Sequence, residues 1–193
     1  MNVMGEAIYI IELSSVPVGI QILDQIVKRS QVLIIYAKPI CIGKFLIVAG
    51  GNVEDVQEAQ AAVVSVQEKK LLHHYLLTNA HNDILSYFNR LPAQRERKPG
   101  ANAVGILETR DASSGFRSLN AALKNGEVRL EQVWLGQFMG GKFCYILTGQ
   151  VEDITMALEA AKGEQEEKYL VDSRVIPAPD QKTLQYLLKR YEG

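Results

Sequence analysis

Cysteine is scarce. The 193 residues hold two, Cys41 and Cys144, too few to build a disulfide framework in a chain of this length, and a reducing compartment is the simpler setting. Histidine is nearly as rare. His73 and His74 are neighbours on a strand and point to opposite faces, so they cannot chelate one ion together, and His81 stands alone in a turn. No Ser-His-Asp set and no metal-protease spacing occurs, so no enzyme is expected. Neither sign of charge dominates: 21 Lys and Arg against 22 Asp and Glu leave a net charge of −1 and a pI near 6.3. That balance gives no argument for nucleic acid or an anionic membrane as partner. Long apolar runs are missing too, and stretches such as Val32 to Tyr36 are far too short to span a bilayer. No basic segment followed by an apolar one opens the chain, so export is not expected. What is left, 47% hydrophobic and 22% charged, reads as an ordinary soluble globular protein with material for one large domain or two small ones.

The chain repeats itself. Lys38-Pro39-Ile40-Cys41-Ile42-Gly43-Lys44-Phe45 is echoed by Gln137-Phe138-Met139-Gly140-Gly141-Lys142-Phe143, and each stretch lies between apolar, β-branched runs as a strand-to-strand turn would. Gly43 and Gly141 supply the freedom that a tight turn needs. Gly51-Asn52-Val53-Glu54-Asp55 then matches Gly149-Gln150-Val151-Glu152-Asp153. The spacing agrees, since 142 minus 44 and 151 minus 53 both give 98. Upstream, Ala7 to Leu13 is repeated by Ala103 to Thr109 and Gly19 by Gly115, where 103 minus 7 and 115 minus 19 both give 96. Two extra residues are therefore expected in the second copy, at a turn near Asn125 to Glu131. Cys41 has Met139 opposite it, and that asymmetry marks the place to look for function.

In order, the first copy reads as a strand from Glu6 to Leu13 and a helix capped by Ser14-Ser15 with Pro17 in its first turn. Ile22, Leu23, Ile26 and Val27 recur at helical spacing. Strands follow at Val32 to Ala37 and Phe45 to Ala49, the second broken by Gly50-Gly51. An Ala-rich helix runs to about Gln67, then a strand from Leu71 to Thr78 and a short helix from Asp83 to Leu91. The charged run Pro92 to Gly100 is the linker. In the second copy Leu119, Ala122 and Leu123 continue a helix after Gly115, followed by strands at Val128 to Leu135 and Phe143 to Thr148 and a helix from Ile154 to about Glu166. A strand from Tyr169 to Ile176 and an end helix from Thr183 to Tyr191 close it. The expectation is an α/β protein (α+β, sandwich-like) of two tandem domains, 1–91 and 101–193 joined by 92–100. Each is β-α-β-β-α-β plus a short terminal helix.

The repeat unit resembles the bacterial microcompartment shell domain. Glu12-x6-Gly19, Asp24-x3-Lys28, Gly43-Lys44-Phe45 and Gly51-Asn52-Val53 carry the likeness, matched by Glu108, Gly115, Lys124, Gly141-Lys142-Phe143, Gly149-Gln150-Val151 and the ending Val175-Ile176-Pro177-Ala178-Pro179. The resemblance covers the whole chain except the linker, in the family's unpermuted order. Two fused copies resemble its tandem-domain members, and that likeness implies homotrimers imitating a hexamer, tiled with other shell proteins in the bacterial cytoplasm. Lys38 to Phe45 is similar to the turn of propanediol-utilisation tandem shell proteins, whose matching cysteine faces the threefold axis and ligates an iron–sulfur cluster. The resemblance thus implies a [4Fe–4S] cluster on Cys41 of three subunits and electron exchange with a luminal or cytosolic redox enzyme. It also implies a pore lined by Ile40, Cys41, Ile42, Gly43, Met139, Gly140 and Gly141, and tile-edge contacts at Lys28 and Lys124. Two departures stand out. Ala178 replaces an arginine that helps lock tile edges, and Ile42 replaces a proline often found after the cysteine.

Elementary chemistry bears on this independently. No Cys-x-x-Cys spacing exists, and a [4Fe–4S] cluster usually needs four thiolates, so one chain cannot build a full site. A threefold axis would gather three soft ligands and leave the fourth iron to water, a small thiol or a partner. The alternative is a metal-free pore passing small polar metabolites, with Cys41 as lining. Cys144, between Phe143 and Tyr145, reads as a small core or face residue. Gly140-Gly141-Lys142 lacks the Ser/Thr and helix of a phosphate loop. Glu12 and Glu108, at matching positions before helices, read as structural groups near helix N-termini.

Overall fold

The computed structural model describes residues 6–64, 69–88, 102–136 and 139–187. The chain divides into two compact units, Met1–Leu91 and Pro92–Gly193. The expected linker over 92–100 lies outside the described residues, as do the expected ends of three helices, at 65–67, 89–91 and 188–191.

In the first unit, β1 (Ala7–Leu13), α1 (Val16–Arg29), β2 (Leu33–Ile40), β3 (Lys44–Gly51), α2 (Val53–Val64), β4 (Leu71–Leu77) and α3 (Asn82–Phe88) follow one another, with a 3₁₀ turn, Cys41–Gly43, between β2 and β3. The second unit repeats the order: β5 (Ala103–Thr109), α4 (Ala112–Asn125), β6 (Arg129–Leu135), β7 (Phe143–Gly149), α5 (Val151–Gly163), β8 (Leu170–Pro177) and α6 (Gln181–Leu187). Each unit holds a four-stranded sheet, ordered β2-β3-β1-β4 and β6-β7-β5-β8, with all neighbours antiparallel. This is the expected α/β arrangement.

The first core forms where alternate residues of β1 and β3 meet the apolar stripes of two helices. Tyr9, Ile11, Leu13, Phe45 and Ile47 pack with Ile22, Ile26, Val56, Ala59 and Val63. Period 2 on the strands and 3.6 on the helices bring these residues to one layer. Ser15 takes the N-cap position of α1 in extended geometry without a side-chain cap bond, with Pro at the first turn, and Asp111 caps α4 by accepting from the Ser114 N–H at 2.8 Å. Gly19 and Gly115 set how closely each first helix approaches its sheet. A Cβ at Gly19 would stand 2.4 Å from the Phe45 ring, and one at Gly115 2.2 Å from the Phe143 ring.

Three expectations need correcting. Gly50 and Gly51 do not break β3, because they pair with Ile8 and Ala7 of β1; a central strand flanked on both sides holds its glycines in the ladder. The helix expected from Ile154 begins at Val151, where Glu152 and Asp153 face the positive end of the helix dipole. The two extra residues do not fall near Asn125 to Glu131. Both second strands skip one residue at the same place, between Ile34 and Tyr36 and between Leu130 and Gln132. The spacing of 96 still holds where Pro39 opposes Phe45 and Leu135 opposes Phe143. The insertion therefore lies between Leu135 and Phe143, in the turn that echoes Cys41.

Candidate functional site

Cys41 sits at the tip of the β2–β3 hairpin. Ile40 is buried, Cys41 half-buried, and Ile42 and Gly43 exposed. Two consecutive residues carry the chain through the bend in the left-handed region, Ile42 at φ 66 and Gly43 at φ 70. Glycine adopts such angles freely, whereas a β-branched residue rarely does. The second turn makes the same double bend with Gly140 at φ 66 and Gly141 at φ 84. Met139 there is half-buried, Gly140 exposed and Gly141 buried, and Gln137 lies outside the described residues. Counted back from Gly141-Lys142-Phe143, Met139 stands opposite Cys41; counted on from β6, Gln137 does. The longer turn thus has no single counterpart of the cysteine.

Beneath each turn lies a carboxylate–ammonium pair. Lys44 Nζ is 3.7 Å from Glu12 Oε2, and Glu12 is wholly buried. Lys142 Nζ is 2.9 Å from Glu108 Oε1 in a more exposed setting. The two glutamates, expected as structural groups near helix N-termini, are thus ion-paired to these lysines. Ile11 and Leu13 join the core with α1 and α2, so Glu12, between them, projects from the opposite face of the sheet. His73 is directly across from Glu12 on β4, a placement that the strand pairing alone reveals.

The two thiols differ. Cys144 is buried, and burial, then the nearby Glu108 charge, push its pKa from 9.0 up to about 12, with Lys142 opposing. It is an inert strand residue. Cys41 keeps partial exposure, as a ligand or lining residue requires. Among the described residues, no three His, Cys, Asp or Glu side chains of one chain stand together as a metal site. The histidines form none. His74 Nδ1 and the Tyr9 hydroxyl share a hydrogen bond of 3.1 Å, and His81 Nδ1 accepts from the Asp83 N–H.

Lys28 lies exposed in the last turn of α1, with its Nζ 2.6 Å from Asp24 Oδ2. Lys124 is exposed at the same position of α4. Ala178, which follows β8, sits at φ 45 and donates its N–H to the Asn102 carbonyl at 2.7 Å, as Ala80 does to Glu6 at 2.8 Å in the first unit. No helix among the described residues is long and apolar enough to cross a membrane.

Known proteins share this arrangement. The BMC domain family matches residues 7–80 and again 103–179. The chain is 34% identical over 177 residues to the bacterial microcompartment shell protein PduT of Citrobacter freundii, which spans 91% of this chain and 94% of that one. A microcompartment protein from Desulfitobacterium hafniense, known from its crystal structure, superposes with a TM-score of 0.84 at 30% identity, over 94% of this chain and 99% of that one. A fused permuted hexameric shell protein of the RMM microcompartment shares the fold alone, with a TM-score of 0.54 and 18% identity over 81% of this chain and 82% of the other. The chain belongs to the bacterial microcompartment shell proteins, as a member with two BMC domains in tandem.

Proposed function

We propose that the protein is a structural tile of a microcompartment shell in the bacterial cytoplasm. Three copies form a pseudo-hexameric ring whose central opening holds a [4Fe–4S] cluster. The observation that carries this reading is the position of Cys41, a half-exposed thiol at the tip of a hairpin whose neighbours Ile42 and Gly43 are open to solvent. The donor set fits the group in kind and number. A thiolate is a soft iron ligand, each chain offers one at this turn, and a threefold axis multiplies it to three. The fourth iron position falls to water, a small thiol or a partner. Bound there, the cluster would supply one-electron transfer across the shell, or a port for cluster delivery. Lys44, ion-paired to Glu12 beneath the turn, would set the local charge without ligating. The tile's neighbours would be other shell proteins, with a luminal or cytosolic redox enzyme exchanging electrons at the pore.

Anaerobic purification, with iron analysis and visible absorption, tests this reading. The wild type should carry about four irons per trimer and a broad brown absorption, and Cys41→Ser should lose both while remaining a trimer. Cys144→Ser should keep the iron. A wild type that holds no iron after reconstitution, or a Cys41→Ser variant that keeps it, would make the opening a metal-free pore for small polar metabolites.

A further inference from the structure

Ile42 is out of place in two respects. Its backbone holds φ 66 and ψ 31, in the left-handed region that L-residues enter at a cost and β-branched ones least readily. Its side chain is also 82% exposed, the highest value among the large apolar residues described. A surface turn ordinarily meets such an angle with glycine or asparagine. The second turn does so, since Gly140, at the matching position by 140 minus 42 or 98, also takes φ 66. A Cβ at Gly140 would meet nothing within 4 Å, so glycine there serves the angle and not a shortage of room. The two turns share a backbone course, and the isoleucine is an addition to it with little cover inside its own chain.

An apolar side chain held in a costly conformation at an open tip makes its contacts outside the chain. Cys41 is its neighbour and is half-buried. Of residues 40–43, Ile40 is buried and Gly43 has no side chain, so Ile42 is the only exposed bulk beside the thiol. The nearest charge along the turn, Lys44, is engaged by Glu12 at 3.7 Å. The apolar shell around a metal site controls solvent access and local dielectric, and iron–sulfur groups respond to solvent exposure in particular.

We propose, resting on the cluster reading above, that Ile42 is a water shield for the Cys41 site, keeping solvent and water-borne reagents from iron held on the thiolates. It offers no donor atom and does not ligate. Threefold repetition of the turn brings three such side chains to one opening, where apolar groups exclude water. The strained backbone sets bulk where a glycine would leave the thiol uncovered.

Iron extraction by a water-soluble chelator, bathophenanthroline disulfonate, tests the shield. The full chain is reconstituted without oxygen as wild type, Ile42→Asn and Ile42→Leu, and release is followed by the colour of the iron–chelator complex. Asparagine suits the left-handed angle but is polar, whereas leucine keeps the apolar bulk. Ile42→Asn should release iron about tenfold faster, the scale on which groups around a metal site act, and Ile42→Leu should stay near the wild-type rate. Denaturant melts should find Ile42→Asn no less stable than the wild type, so that faster release reports access and not a loosened fold. An asparagine variant that holds no iron while the leucine variant does is the same result at its extreme. If Ile42→Asn lost its folded circular dichroism spectrum, Ile42→Gly would replace it, because the second unit already folds with glycine at that place. Equal rates for the wild type and the polar or glycine variant overturn the shield and leave the cluster standing. A leucine variant as fast as the asparagine one overturns it too, since apolar bulk would then have no effect. A wild type that takes up no iron overturns the cluster reading itself, and the shield with it.

Discussion

At the scale of the residue, the turn around Cys41 carries a cost that its counterpart avoids. A left-handed angle costs an L-residue roughly 1–2 kcal/mol, and Ile42 holds φ 66 with 82% of its surface exposed. Burial does not offset that strain within the chain. Ile42→Gly, which would give this turn the two glycines of the second, should raise stability by up to about 1 kcal/mol once glycine's greater freedom in the unfolded chain is subtracted. Denaturant melts would register it, and a loss of stability would show that Ile42 makes a contact that its exposure conceals. Cys144 offers a second residue-level outcome. Its folded pKa of about 12 lies above the ordinary 9.0, so the folded state holds a proton that the unfolded state releases first. This contribution is complete below pH 9 and is lost as pH climbs toward 12. Tyr9 and Tyr145, also raised by burial, act in the same sense at higher pH. Thermal melts from pH 8 to 11 should therefore decline less steeply for Cys144→Ala than for the wild type. Equal slopes would mean that the thiol titrates freely.

At the scale of the element, each first helix rests on its sheet through one glycine over one phenylalanine, Gly19 over Phe45 and Gly115 over Phe143. Phe143 is also hemmed by Phe116 at 5.0 Å and Tyr145 at 6.3 Å, so it has no room to yield. Gly115→Ala should thus destabilise by about 1–3 kcal/mol through overpacking, although alanine is the better helix former by about 1 kcal/mol. A rise in melting temperature would show that the ring moves aside. The sequence made the repeat visible, along with both glycines and both phenylalanines, because their spacing survives in linear order. That each pair meets face to face was not visible, since the contact joins α1 to β3 across two intervening elements. The misplaced insertion has a similar origin. A shift from 96 to 98 can be located only between recognisable words, and β6 shares few with β2; the strand pairing through both bulges was needed to fix it. Cys41 stood out as a lone thiol in a glycine turn, whereas the Glu12–Lys44 pair did not, because glutamates ahead of helices also suit a dipole.

At the scale of the whole molecule, a tile needs two kinds of contact that fail independently: those that close the ring and those that join rings into a sheet. On the proposed tile reading, Lys28 and Lys124 belong to the second. Both are exposed at the same late position of their helices, and Lys28 Nζ is anchored by Asp24. A lysine in such a place can pack its methylene stem against a neighbouring surface while its ammonium stays hydrated. Reversing both, Lys28→Glu with Lys124→Glu, sets a second carboxylate one helical turn from Asp24 at a repulsive cost of roughly a few tenths of a kcal/mol, too little to unfold a domain. The trimer should therefore keep its mass, while electron microscopy finds no lateral sheets where the wild type forms them. If an arginine at the position of Ala178 locks tile edges, as the family resemblance implies, wild-type sheets should be few when the protein is alone and more abundant when mixed with another shell protein. If the double reversal dissolved the trimer instead, the lysines would lie in the ring-closing contact and not at the tile edge.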